Sequence, residues 1–390
     1  MPKGWDTLSL DELADLYDGP HATPTKTDAG PWYLSISSLD NGRFDLGRSA
    51  HLSETQFRGW TRRVQPCRGD TLFSYETRVG EAAYWNSDEP AALGRRMGLL
   101  RAKDGVCARF LTYAFLGPQF QEVIRANTVH GATVERLLIA DMPSWRISIP
   151  RLDEQQRIAE VLGSLDDLIE ANDAQAARAE ALAAAIFERA AFDIEGADGE
   201  TLSSALDVNP VRPRPAAEAP YVDMAALSTT SARITAIARR APVGGARFVN
   251  GDTLMARITP CLENGKIAFV DQLPDGEVAV GSTEFLVLRP REPLTPEWAY
   301  CLARSPRFRD YTVQRMSGSS GRQRASAADV AAYPIRKPNE SEARAFNELV
   351  SPLFAAMKQM GDEADQLRAT RHALLPLLMS GKVRAGEVAA

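Results

Sequence analysis

The apolar positions of this chain follow two rhythms that alternate along its length. Up to Pro150, and again over 196–338, apolar and β-branched residues come in short runs bounded by Gly and Pro. Examples are Lys266-Ile267-Ala268-Phe269-Val270 and Glu284-Phe285-Leu286-Val287-Leu288. Such runs predict strands joined by turns. Helical spacing interrupts them over 112–127 and 296–316, the first beginning at a Thr and the second at a Pro. Beyond Pro150 the period lengthens. Leu162, Leu165, Ile169, Ala176, Ala179, Ala183 and Ile186 form a three-four alternation with Asn172 as its polar exception. Beyond Pro338 the seam is Val350, Leu353, Met357, Met360, Ala364, Leu367, Arg371, Leu374 and Leu378. Heptad spacing predicts helices packed along their lengths, and the polar members Asn172 and Arg371 are placed to help fix register or to sit at a solvated edge. Each helix would run roughly 55–60 Å at 1.5 Å per residue.

The expected organisation is a globular unit at 1–150, a long helix at 151–195, a second globular unit at 196–338, a second long helix at 339–381 and a tail at 382–390. The two halves also match in detail. GDTLFSYETRVGEAAYW begins at Gly69 and GDTLMARITPCLENGKIAFV at Gly251, an offset of 182. At an offset of 188, Tyr33-Leu34 meets Tyr221-Val222, Leu99-Leu100-Arg101 meets Val287-Leu288-Arg289, and Pro150 meets Pro338. The first copy therefore has six more residues before GDTL, and the second regains six after it. One recognisable order of matches ending at the same proline indicates a duplicated domain. GDTL itself reads as a turn feeding a core strand, with Gly supplying the unusual backbone angle. At one turn the copies diverge: Leu93-Gly94-Arg95-Arg96 stands where the second has Gly281-Ser282-Thr283-Glu284.

Composition narrows the function. With 390 residues the chain holds two domains with real cores. It has no apolar run long enough to span a membrane, and MPKGWDTLSL lacks an apolar signal core, so a cytoplasmic location is expected. Cys67, Cys107, Cys261 and Cys301 form no CxxC pair, which points to buried free thiols and away from zinc or a disulfide framework. The net charge of −6 argues against a strongly basic nucleic-acid binder, but nucleic acid meets a local surface. Residues 153–190 carry nine Asp or Glu against three Arg. Basic residues gather in the globular units instead: Arg58, Arg62, Arg63, Arg68, Arg95 and Arg96 in the first, and Arg304, Arg307, Arg309, Arg315, Arg322, Arg324, Arg336 and Lys337 in the second. Arg and Gln can read guanine and adenine edges, while Ser and backbone N–H groups hold phosphates. No P-loop, GxSxG, HExxH or GxGxxG pattern is present, and the four histidines have no ligand spacing, so no catalytic residue and no metal site is assigned.

The order strand-rich unit, long helix, strand-rich unit, long helix resembles the DNA-specificity subunit of type I restriction–modification enzymes. GDTLMARITPCLENGKIAFV, GSTEFLVLRP, AADVAAYPIRKP and above all IPRLDEQQRIAEVLGSLDDLIE carry the resemblance, which covers nearly the whole chain. The second helix begins KPNESEARAFNELV and departs from the EQ-containing form. The resemblance implies an α+β chain: two similar mixed α/β target recognition domains, each followed by a long helix, the helices pairing as an antiparallel coiled coil with pseudo-twofold symmetry. Each domain would read one half of a bipartite, asymmetric DNA target, and the helices would set the spacer. Two modification subunits would methylate adenine and restriction subunits would join them. S-adenosylmethionine, ATP and Mg would sit on those partners and none on this chain, and the acidic helix faces would dock protein. Loops after the matched strands supply the candidate DNA contacts: Tyr75, Thr77, Arg78, Arg95, Arg96 and Thr133 in the first unit, and Arg257, Thr259, Asn264, Lys266, Ser319, Arg322 and Gln323 in the second. Two other readings remain open from the residues alone. One is a coiled-coil scaffold with two β-rich protein-interaction modules; the other is a stand-alone nuclease with an unrecognised site.

Overall fold

The computed structural model describes residues 4–40, 42–130, 134–194, 199–241, 244–319 and 321–388. The chain divides into two compact units, the first made of Met1–Ile169 with Gln366–Ala390 and the second of Glu170–Asp365. Both unit boundaries fall inside the long helices, Leu152–Ala190 and Glu340–Met379.

In the first unit a four-stranded antiparallel sheet runs Ala14–Asp18, Met97–Ala102, Thr71–Ser74, Ala82–Tyr84. A second sheet pairs Thr27–Leu34 antiparallel to Ala50–His51 and parallel to Ala91–Leu93. The second unit repeats this plan. Its four-stranded sheet runs Leu206–Val208, Phe285–Pro290, Thr253–Ala256, Ile267–Phe269, and its other sheet again holds one parallel pair, Ala219–Val222 with Ala279–Gly281. Register reconciles the two sequence offsets: Leu72 faces Leu99 just as Leu254 faces Val287.

Both faces of each four-stranded sheet are covered. Successive side chains alternate across a strand. Phe73 and Leu100 join a core with Phe110, Phe115, Phe120 and Trp145, while Leu72 and Leu99 join Leu34 and Trp85 on the other side. Two-sided burial is why these strands read as apolar runs and not as strict alternation.

The helices behind the sheets correct the sequence reading. Where single helices were expected over 112–127 and 296–316, the first unit has Ala108–Leu116 and Pro118–Asn127, and the second has Pro296–Arg304 and Pro306–Gln314. Pro118 and Pro306 lack the N–H that would continue the preceding helix, yet each fits the first turn of the next.

Each unit contains an antiparallel helix pair. In the first, Asp166 faces Arg371, and Ile158 and Leu162 share a core with Leu378 and Met379, so one number rises as the other falls. In the second, Phe187 meets Phe346 edge-on, and Ala183, Val350 and Phe354 complete the same core. The helix starts explain the sequence departure between the copies. Gln155 is buried, accepts from the Cys107 N–H (2.9 Å) and donates to the Pro150 carbonyl (2.9 Å). Its counterpart is Ala343, and the second helix starts instead on a capping box: Asn339 accepts from the Glu342 N–H (2.9 Å) and donates its own N–H to the Glu342 carboxylate (3.0 Å).

Acidic residues on the helices have internal work, which narrows the expected docking surface. Asp166 accepts from the Tyr113 hydroxyl (2.7 Å) and lies 2.6 Å from Arg371; Asp167 holds Arg109 (2.6 Å). Glu180 accepts from the Tyr300 hydroxyl (2.5 Å) and the Ala232 N–H (3.0 Å). The cysteine expectation also changes: Cys301 is buried, but Cys67 is exposed. No described helix is long and apolar enough to cross a membrane.

Candidate nucleic-acid interface

The repeated GDTL supports the candidate interface from behind. Gly69 and Gly251 have φ of 104° and 83°, a region that favours glycine. Asp70 and Asp252 are buried, each accepting from a backbone N–H three residues earlier, Cys67 or Val249, at 2.8 Å. Asp70 binds Arg101 (2.7 Å). Asp252 binds Arg212 (2.7 Å) and Arg289 (3.2 Å), the latter the counterpart of Arg101. Burial pushes the Asp252 carboxyl up, against the pull of the Val249 N–H and the two guanidinium groups.

The strand leaving this turn delivers the chain to a joint made of backbone. In the first unit the Tyr75 N–H donates to the Arg96 carbonyl (3.3 Å), the Leu137 N–H to the Tyr75 carbonyl (2.8 Å), and the Thr77 N–H to the Glu135 carbonyl (3.2 Å). In the second unit the Arg257 N–H donates to the Glu284 carbonyl (2.9 Å), the Ala325 N–H to the Arg257 carbonyl (2.8 Å), and the Thr259 N–H to the Gln323 carbonyl (3.1 Å). Each residue corresponds to its partner copy at 182 or 188. Three segments meet in each joint: the hairpin after GDTL, the turn at Arg96 or Glu284, and a closing loop. The second hairpin is three residues longer, since Leu72 pairs with Ala83 but Leu254 with Ala268. Its closing loop is a tight one, with Ser317 and Arg324 exchanging backbone hydrogen bonds in both directions (3.0 and 2.9 Å).

The candidate contacts divide by exposure. Tyr75 is buried, and burial pushes its hydroxyl up to about 12, so its side chain belongs to the core. Thr77 is exposed with φ of 70°. Arg78 is spent internally on Glu81 and on the Ile36 and Leu39 carbonyls (3.2 and 2.9 Å). Arg95 is exposed, whereas Arg96 binds Glu76 (2.7 Å). Thr133 lies outside the described residues. In the second unit Asn264, Ser319 and Arg322 are exposed. Arg257, Thr259 and Gln323 are half-buried in the joint, and Lys266 donates to the Met224 carbonyl (2.8 Å).

Many arginines of the basic clusters are likewise paired: Arg63 with Asp18, Arg68 with Asp88, Arg307 with Asp193, Arg324 with Glu284 and Arg336 with Glu342. Among the candidate contacts the exposed ones are Thr77 and Arg95 in the first unit and Asn264, Ser319 and Arg322 in the second, all on the segments that meet in the two joints. Sequence reading passed over Arg136, exposed on the strand Glu135–Arg136, although the 188 offset aligns it with Arg324.

The comparisons agree with this plan. Residues 2–181 match the type I restriction modification DNA specificity domain. That match covers just under half of the chain. The chain is 34% identical over 113 residues to the type I restriction enzyme EcoEI specificity subunit of Escherichia coli, covering 28% of this chain and 19% of that protein. It is 31% identical over 128 residues to the EcoAI specificity subunit of the same species, covering 33% and 21%. These matches span about a fifth of the length of either relative. The crystal structure of the type I restriction–modification S subunit from M. genitalium shares the fold along 96% of both chains, with a TM-score of 0.56 and 17% identity. Over residues 2–181 the chain is thus similar in sequence to type I DNA specificity domains, and along its length it shares the fold of that S subunit.

Proposed function

We propose that each α/β unit reads one half of a bipartite, asymmetric DNA target and that the paired helices set the unread spacer. The observation that carries this reading is the duplicated joint, which holds exposed donors on a rigid backbone frame in both units. Scaffold features repeat between copies: the buried Asp, its arginine and the knitted carbonyls. The side chains on the frame differ, with Thr77 and Arg95 on one and Asn264, Ser319 and Arg322 on the other. A frame kept alike while its surface varies suits two heads that read different sequences.

In this reading the chain catalyses nothing and binds no cofactor. Two modification subunits bind S-adenosylmethionine and methylate adenine at the site the chain selects, and restriction subunits supply ATP- and Mg-dependent chemistry. The modification subunits also supply much of the phosphate clamp, which fits a chain of net charge −6 whose arginines are often paired. The test is to express the chain with its modification subunit in a host free of adenine methylation and sequence the genome for methyladenine. A bipartite motif with a fixed gap supports the reading. A stable, cofactor-binding complex that methylates no motif refutes it and favours a protein scaffold.

A further inference from the structure

Resting on that DNA-reading role, the joints suggest how each head is aimed. In the second unit Glu284 holds two segments at once. Its carbonyl accepts from the Arg257 N–H (2.9 Å), which fixes the hairpin. Its carboxylate takes Arg324 side-on: Nε lies 3.0 and 2.9 Å from the two oxygens and Nη2 2.8 Å from one of them. The remaining Arg324 nitrogen donates to the Arg322 carbonyl (3.2 Å). Every nitrogen of this guanidinium is thus engaged within the chain, so Arg324 braces the closing loop and leaves the reading to its neighbours. A bidentate Arg–carboxylate pair fixes direction as well as distance.

The first unit uses the same position with opposite charge. Arg96 stands where Glu284 stands, its carbonyl accepts from the Tyr75 N–H, and its guanidinium binds Glu76 on the hairpin (2.7 Å). Arg136, the counterpart of Arg324, is exposed. One head therefore has its closing loop braced by a side-chain pair, and the other its hairpin.

We propose that Glu284 is a positioning residue for sequence reading: through Arg324 it sets where Arg322 and Gln323 stand against the bases, and Arg96 does the corresponding work on the first hairpin through Glu76.

The experiment uses the full chain with its modification subunit and reads methylation at each position of the motif. Three variants are compared with wild type: Glu284→Gln, Glu284→Arg, and the charge exchange Glu284→Arg with Arg324→Glu. Thermal unfolding of each complex checks that the fold is kept. Both single variants should lose about tenfold or more in base discrimination in one half of the motif, with the other half and the gap unchanged. The charge exchange should return discrimination to within about threefold of wild type, since it restores the pair. Equal relaxation in the single and exchanged variants, or loss spread evenly over both halves, overturns the positioning role. So does a wild-type bipartite motif that neither single variant alters, which leaves the DNA-reading role standing. A wild type without any bipartite motif overturns both.

Discussion

Replacing Asp252 with Ala tests whether the repeated GDTL is scaffold. The Asp252 carboxylate is fully buried, accepts from the Val249 N–H and pairs with Arg212 and Arg289. Removing one partner of a buried ion pair costs ~3–5 kcal/mol, and an orphaned buried N–H ~1–3 kcal/mol, with overlap between the two. The Arg289 side chain is 37% exposed, so water recovers most of its charge and it adds little. The total is about 4 kcal/mol. For domains of about 150–250 residues this lowers the midpoint by roughly 8–16 °C. Calorimetry should show the transition of the second unit moving and that of the first staying, since the two units need not melt together. Asp252→Asn, which keeps an acceptor for Val249, should fall between. Asp70→Ala should cost less, about 2 kcal/mol, because its single guanidinium partner is also 37% exposed. A loss below about 1 kcal/mol for Asp252→Ala would refute the argument. So would an unchanged midpoint with an altered DNA target, which would put GDTL at the bases.

Arg371→Ala leaves Asp166 largely buried without its cation and should destabilise the first unit by ~3 kcal/mol, whereas Tyr113→Phe removes one hydrogen bond to the same carboxylate and should cost ~1–2 kcal/mol; denaturant titration checks both. Acid should weaken the second unit through Glu342 and Glu284, held below the usual carboxylate range by the Asn339 N–H with Arg336 and by Arg324 respectively. Their folded values lie below the unfolded ones, so the stabilisation is complete above about pH 4.3 and is lost as pH falls through the folded values; Glu342→Gln should flatten that acid limb in a stability–pH profile. Among the cysteines, Cys67 should react first with a thiol reagent, although desolvation and then Asp70 push its thiol up, and Cys301 only on unfolding; mass spectrometry of timed aliquots reads the order.

The duplication was legible because scaffold side chains repeat: the two GDTL turns, Arg101 with Arg289, and Pro150 with Pro338. Even the helix starts obey the 188 offset, at Ala108 and Pro296, Pro118 and Pro306, Leu152 and Glu340. The helix breaks were missed although Gly117-Pro118 and Ser305-Pro306 spell them, because continuous apolar spacing on either side masks a one-residue interruption. The joints were not legible at all. They are held by backbone N–H and carbonyl groups, which leave no trace in residue type. For the same reason the candidate contacts were drawn too widely. Tyr75 and Arg78 are residue types that suit a reading loop, and only the tertiary fold shows that one ring is buried and the other side chain is bound to Glu81 and two carbonyls. Net local charge misled in the same way, since Arg307 and Arg324 answer to carboxylates distant in sequence, Asp193 and Glu284.

The central claim is that the two units read separate halves of one target. Its most direct test replaces residues 1–150 with the corresponding domain of another specificity subunit and maps methyladenine across a genome. The account predicts a motif in which one half changes and the other half and the gap stay as in the wild type. A motif that changes in both halves, or one that does not change at all, would contradict it.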